Sequence, residues 1–247
     1  MEDKLRFVVG KGKWEKYRVD TVWSKEPGTV KWLKKNVLPG DICYDIGANI
    51  GIYTMIMAHL LGPGGMVYAF EPHLANAGRL VHNTFLNHFT DRVRVIASAL
   101  HNQTGFYPFN YKDDDPGATG SQLNTTFNEF GQSFQPSAIE LKHSATVDDL
   151  LDSGIILPPA LIKLDVDGNE LNILAGMDAL LRHRPPRTIQ VETHHKDDKP
   201  TVDFMEAHGY RLVERHFTEG GAELLAKGTP AEKIAQSLVF MAGQNGT

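Results

Sequence analysis

The chain has 247 residues, a net charge of −5, one cysteine and 41% hydrophobic residues, enough for one α/β domain with additions or two small ones. A single cysteine excludes an intramolecular disulfide framework, and no run reaches the roughly 20 apolar residues of a membrane span. Long basic stripes are absent, which argues against nucleic acid as a partner, and no apolar segment follows Met1 as a signal peptide requires, so the expected location is cytoplasmic.

Residues 1–40 read as an N-terminal extension and residues 41–247 as the main domain. Leu5 to Val9 and Tyr17 to Val22 are short apolar or alternating stretches parted by Gly10-Lys-Gly12, a hairpin-like pattern. Glu26 to Asn36 predicts a helix with Trp32 and Leu33 inward and lysines outward, ended by Pro39-Gly40. Ile42, Cys43 and Tyr44 then open a core strand, with Cys43 as a buried apolar residue rather than a nucleophile.

The stretch Asp45-Ile-Gly-Ala-Asn-Ile-Gly51 follows that strand and precedes a helix over about Ile50 to Leu61, broken at Gly62-Pro63-Gly64-Gly65. A second strand, Met66 to Phe70, ends at Glu71-Pro72. Strand, glycine turn, helix, strand, acid is half of an open nucleotide-binding sheet. Gly47 and Gly51 let the chain turn sharply and let a ligand approach the main chain. The spacing is not the G-x-G-x-x-G of a dinucleotide site, and Asp45 offers nothing to a pyrophosphate. A ligand with an ammonium or sulfonium group and a ribose suits both Asp45 and Glu71, which points to S-adenosylmethionine (SAM) rather than NAD.

Leu74 to Asn87 predicts a helix with Leu80, Phe85 and Leu86 on its apolar side and Pro72 at its start. Val93 to Ala97 is the third strand, and Ser98-Ala99 at its tip is where such a fold meets an adenine ring. Residues 101–149 change character: polar residues interleave with Phe106, Tyr107, Phe109, Tyr111, Phe127, Phe130 and Phe134. A stretch of this length works as a lid or binding loop in compact domains, so it reads as a substrate-facing insertion between strands 3 and 4. Phe106 to Tyr111 and Ala138 to Ala145 are its two pairing arms.

Thr146 caps a short helix to Leu151. Leu161 to Leu164 is strand 4, ending Asp165-Val-Asp167-Gly168, and one helix follows over about Asn169 to Leu181, with Asp167 as its cap and Glu170 in its first turn. Thr188 to Val191 is strand 5, ending Glu192-Thr-His194-His195. A helix over Thr201 to His208 and an antiparallel pair, Tyr210 to Glu214 and Ser237 to Met241, complete seven strands. His59, His82, His88, His101 and His216 carry no partner pattern and read as surface residues.

Working groups in such sheets gather at the carboxyl ends of the strands. Asp165, Glu192 and His194 meet there, with Lys163 inside strand 4. Lys163 can serve the chemistry or simply pair with an acid at the sheet edge. A hydroxyl has a pKa of about 15.7 and needs help to lose its proton. Either a carboxylate or histidine acts alone as base, or Asp165, Glu192 and His194 hold a divalent cation. The metal-free design is favoured, because no ligand spacing here is diagnostic.

Four segments resemble the FkbM family of SAM-dependent methyltransferases: Asp45-Ile-Gly-Ala-Asn-Ile-Gly-Ile-Tyr-Thr54, Ala69-Phe-Glu-Pro72, Ile162-Lys-Leu-Asp-Val-Asp-Gly-Asn-Glu170, and Glu192. Thr146 to Leu150 and Gly120-Ser121 also look like the family's intervening segments, and Asp167 stands where Glu is more usual. The resemblance covers about residues 40–195. It implies a Rossmann-like class I methyltransferase sheet of seven mostly parallel strands with the last antiparallel. It also implies O-methylation of a small-molecule or sugar-type hydroxyl. Cofactor-binding residues are then expected at Asp45, Gly47, Ala48, Asn49, Gly51, Tyr53, Thr54, Glu71, Pro72, Ser98, Ala99 and Asp165. Two rivals are an RNA ribose 2'-O-methyltransferase and a non-catalytic SAM-binding protein.

Overall fold

The computed structural model describes residues 4–128, 131–193, 197–231 and 234–243. In chain order the elements are α1 (Lys13–Asp20), α2 (Pro27–Asn36), β1 (Ile42–Ile46), α3 (Ile52–Leu61), β2 (Met66–Phe70), α4 (Leu74–Leu86) and β3 (Val93–Ile96). Next come β4 (Ala99–Leu100), β5 (Gly105–Tyr111), β6 (Gln122–Leu123), β7 (Ala138–Ala145), α5 (Val147–Asp152), β8 (Leu161–Leu164), α6 (Glu170–Ala175) and α7 (Asp178–His183). The chain closes with β9 (Thr188–Thr193), α8 (Asp198–Ala207), β10 (Tyr210–Phe217), α9 (Glu219–Ala226) and β11 (Gln236–Ala242).

Seven strands form one sheet in the order β10-β11-β9-β8-β1-β2-β3. β1, β2, β3, β8 and β9 run parallel, and β11 is antiparallel to both its neighbours. Strand alternation sends Cys43 to one face and Tyr44 and Ile46 to the other. On the first face Trp32 and Leu33 of α2 and Met55 and Ile56 of α3 pack over Cys43, Val67 and Leu161. On the second, Ile173, Leu180 and Leu181 of α6 and α7 pack with Tyr44, Ile46 and Phe70. Both faces are covered, so the parallel strands read as nearly continuous apolar runs.

A second sheet, ordered β4-β7-β5-β6, carries the insertion. Its arms pair antiparallel from Gly105↔Ser144 to Tyr111↔Ala138, as the alternation predicts. No helix among the described residues is long and apolar enough to cross a membrane.

Five local expectations need correction. The N-terminal extension is not hairpin-like: Lys13–Asp20 is a helix, held by tertiary contacts rather than by its own pattern. Glu15, 1% exposed, accepts from Gly10 N at 2.6 Å and pairs with Arg79 of α4. The single helix expected after β8 is two, because the chain bends at Gly176, where a Cβ would sit 2.3 Å from the His101 carbonyl oxygen. Asp148 then supplies the start of α7, accepting from Ala179 N and Leu180 N at 2.9 Å each. Phe85 is exposed, not inward, and α4 starts at Leu74 with His73 as its cap, so Pro72 is neither in the first turn nor the cap. Asp167 is not a cap either; Asn169 holds that position. α9 was not foreseen, since Gly220 and Gly221 hide a helix that Thr218 starts by accepting from Gly221 N.

Candidate active site

The carboxyl ends of β1, β2, β8 and β9 open onto a cavity of about 330 Å³, within the range of small-molecule sites. The glycine turn forms its floor. Gly47 has φ +79°, and a Cβ there would lie 1.7 Å from the Asp165 carbonyl oxygen. The ends of β1 and β8 therefore touch backbone to backbone, which only glycine permits. Asn49, with φ 51°, takes the left-handed position that Asn tolerates best among larger residues.

The amides of this turn are already used. Gly47 N and Ala48 N donate to Phe70 O, Gly51 N to Ala48 O, Asn49 N to Glu71 Oε2 at 2.6 Å and Ile50 N to Asn49 Oδ1. A pyrophosphate cradle needs such donors turned toward the ligand, so the turn does not fit a dinucleotide. Glu71 lines the cavity. Its Oε1 accepts from His73 N at 2.8 Å, and each carboxylate oxygen keeps further lone pairs. Burial pushes its carboxyl up to about 7, against the pull of the His73 and Asn49 amides.

Asp45 is not on the cavity wall, which corrects the direct ligand contact expected of it. Its side chain lies in one row with Lys163 and Gln190, their positions being in register across β1, β8 and β9. That row faces α2 and α3. Thr54 Oγ1 donates to Asp45 Oδ2 at 2.6 Å, and Gln190 Nε2 donates to Thr29 Oγ1 at 3.0 Å. Asp45 Oδ1 is buried without a hydrogen-bond partner, and burial pushes its carboxyl up despite Lys163. Thr54 and Gly51 are likewise absent from the cavity wall. Ala48, Tyr53 and Lys163 border a small annex of the cavity beside the turn, while Pro72, Ser98 and Ala99 line the main space.

The second cluster sits beside the turn, at the ends of β8 and β9. Lys163 Nζ donates to Asp165 Oδ2 at 2.8 Å, and oxygens of Asp165, Asp167 and Glu192 lie within 4.8 Å of one another. Burial opposes charge on Asp165, yet Lys163 overrides it and holds the carboxyl well below its usual range. Glu192 goes the other way: burial, then the neighbouring Asp165 charge, pushes it far up. The two neighbouring acids are thus pushed in opposite directions, Asp165 down and Glu192 up. Lys163 is at the sheet's centre rather than its edge. His194 and His195 lie outside the described residues. Asp167 stands beside Asp165 and Glu192.

The insertion and α1 roof the cavity. Asn49 Nδ2 and Asn76 Nδ2 donate to Ala118 O, Gly117 N donates to Asn76 Oδ1 at 2.7 Å, and Gly120 N donates to Asp167 Oδ2 at 3.0 Å. From α1, Arg18 Nε donates to Gly117 O at 2.6 Å and Trp14 Nε1 to Asp113 Oδ2 at 3.2 Å. Arg18, Asn76 and His73, which line the cavity, escaped the sequence reading. None belongs to a local motif, and only the fold brings them to this wall.

Residues 45–212 match the family described as "Methyltransferase FkbM domain". The chain belongs to the FkbM methyltransferase family. It is 27% identical over 205 residues to 31-O-demethyl-FK506 methyltransferase FkbM of Streptomyces tacrolimicus, covering 71% of this chain and 74% of that protein. It is 25% identical over 157 residues to hexuronic acid methyltransferase AglP of Haloferax volcanii, covering 64% of this chain and 58% of that protein. In fold it is similar to a Clostridium thermocellum protein provisionally described as an rRNA methylase, with TM-score 0.54, 12% identity, and 89% and 96% of the two chains covered. A second similar structure is Aeropyrum pernix fibrillarin bound to SAM, with TM-score 0.50, 12% identity, and 87% and 74% covered. The FkbM chain thus has the class I methyltransferase fold, with its cavity where that sheet places a ligand.

Proposed function

We propose that this FkbM-family chain is a SAM-dependent O-methyltransferase acting on a hydroxyl of a small-molecule or sugar-type acceptor. The observation that carries this reading is the acid pair, Asp165 and Glu192, on the wall of the cavity that Glu71 and the glycine turn also line. SAM bound there would supply an electrophilic methyl on a sulfonium. Glu71 would accept the ribose hydroxyls, and Ser98 and Ala99 would border the adenine. The turn, whose amides serve the protein, leaves room for a donor without a pyrophosphate.

Asp165, kept ionised by Lys163, is the group to take the acceptor's proton as the methyl arrives. General-base help of this kind contributes typically about 10²–10⁴-fold, and alignment of the reacting atoms supplies the rest. Lys163 acts through Asp165 and is a positioning residue. Its ammonium already pairs with Asp165 at 2.8 Å and no metal-ligand spacing in the sequence is diagnostic, which favours the metal-free design over a divalent cation. The names of the two relatives, a 31-O-demethyl-FK506 methyltransferase and a hexuronic acid methyltransferase, support an oxygen-bearing acceptor.

The test is Asp165→Asn. SAM affinity by calorimetry is expected to stay within a few-fold, while turnover on an acceptor found by screening hydroxylated compounds with labelled SAM falls about 100-fold or more. Wild-type activity is expected to survive EDTA. Full turnover in Asp165→Asn would move the base elsewhere, and lost activity after chelation would restore the cation.

A further inference from the structure

The cavity wall is rich in acids: Glu71, Asp165, Asp167 and Glu192 all line it. Against them stand two cations, Arg18 and Lys25, both from the N-terminal extension and both bordering the annex beside the glycine turn. Lys25 Nζ is spent on Glu26 Oε1 at 2.8 Å. Arg18 closes no salt bridge among the described residues; its Nε serves the Gly117 carbonyl. The guanidinium has five donors in all, so four remain.

That cation is also held in place. The helix that carries it is pinned through the buried Glu15 and Arg79 pair and through Trp14 to Asp113. A Cβ on Gly117 would lie 2.9 Å from Glu15 N, so roof and helix are in close contact. Meanwhile the turn offers an anion nothing, since the amides of Gly47, Ala48, Asn49, Ile50 and Gly51 are engaged. An anionic group beside residues 47–51 therefore gains no amide from the turn itself, and Arg18 is the nearby cation with donors to spare.

We infer that Arg18 binds the carboxylate of the donor's amino-acid end, so that the N-terminal extension completes the cofactor site. This rests on the SAM reading above. A zwitterion fits the wall: its ammonium faces the acids and its carboxylate faces Arg18. Guanidinium and carboxylate match as a two-bonded fork, and a lysine does not reproduce that geometry. A carboxylate on the acceptor is the competing occupant.

Calorimetry with two probes separates these. S-adenosylhomocysteine carries the amino-acid end; 5'-methylthioadenosine keeps the adenine, ribose and thioether but lacks it. Wild type is expected to prefer the first, and Arg18→Met to lose about tenfold in affinity for it while binding the second unchanged, with Arg18→Lys intermediate. Equal losses for both probes would show that Arg18 only supports the roof, and would overturn the inference. So would an Arg18→Met variant that binds S-adenosylhomocysteine normally but loses turnover on carboxylated acceptors. Wild type binding neither probe would overturn the SAM reading itself.

Discussion

Glu170 was legible as a first-turn acid, but its burial was not. It is 3% exposed, and its Oε1 accepts from Val166 N and Gly168 N at 3.1 Å each, so it stitches the bend after β8 that carries Asp165 and Asp167. Burial pushes its carboxyl up to about 7, with those amides pulling the other way. A carboxyl whose folded pKa lies above its unfolded value binds its proton more tightly when folded. Its favourable effect is complete below the unfolded value and is lost as pH rises toward about 7. Glu170→Gln keeps an acceptor for the amides without the charge. The melting-temperature difference between Glu170→Gln and wild type is expected to grow from about pH 5 to about pH 8, by up to about 3 kcal/mol in stability. Glu71 titrates in the same window in both proteins, so the difference isolates Glu170. A difference independent of pH would refute the assignment.

Elements differed in how openly the sequence announced them. β2 and β8 match their predicted ranges because apolar runs bounded by turn residues leave little choice. The α5 cap was legible for a similar reason: Thr146 Oγ1 accepts from Asp149 N at 2.9 Å. α1 was not, because its Glu15 and Arg18 are fixed by partners 64 and 99 residues away. α5 matters beyond itself, since its Asp148 starts α7 and its cap follows the last strand of the insertion sheet. Thr146→Ala is expected to cost about 1 kcal/mol, a fall of roughly 2–4 °C in melting temperature for a chain of this size. SAM affinity should be unchanged, because Thr146 does not line the cavity. A thermal melt with and without ligand checks both.

Across the whole molecule, charge and enclosure agree. The net charge is −5, acids dominate the cavity wall, and α1 with residues 112–121 closes over the glycine turn. A single strand of RNA would meet repulsion and a roofed site. Fluorescence anisotropy with a labelled RNA oligonucleotide is therefore expected to show no binding tighter than about 10⁻⁴ M at physiological salt. Tight, salt-dependent binding would revive the ribose-methyltransferase alternative.

Local chemistry alone settled the strand and turn positions, the glycine bend, and the acids at the ends of β2, β8 and β9. Those features depend on neighbours within a few residues: apolar period, turn residues and chain direction. Long-range packing settled the rest. Whether an acid faces a ligand or the sheet's underside depends on which strand lies alongside, which is why Asp45 turned inward against Lys163 and Thr54. Which cation reaches the cavity depends on a helix docked from the far end of the chain, and no local pattern encodes that distance.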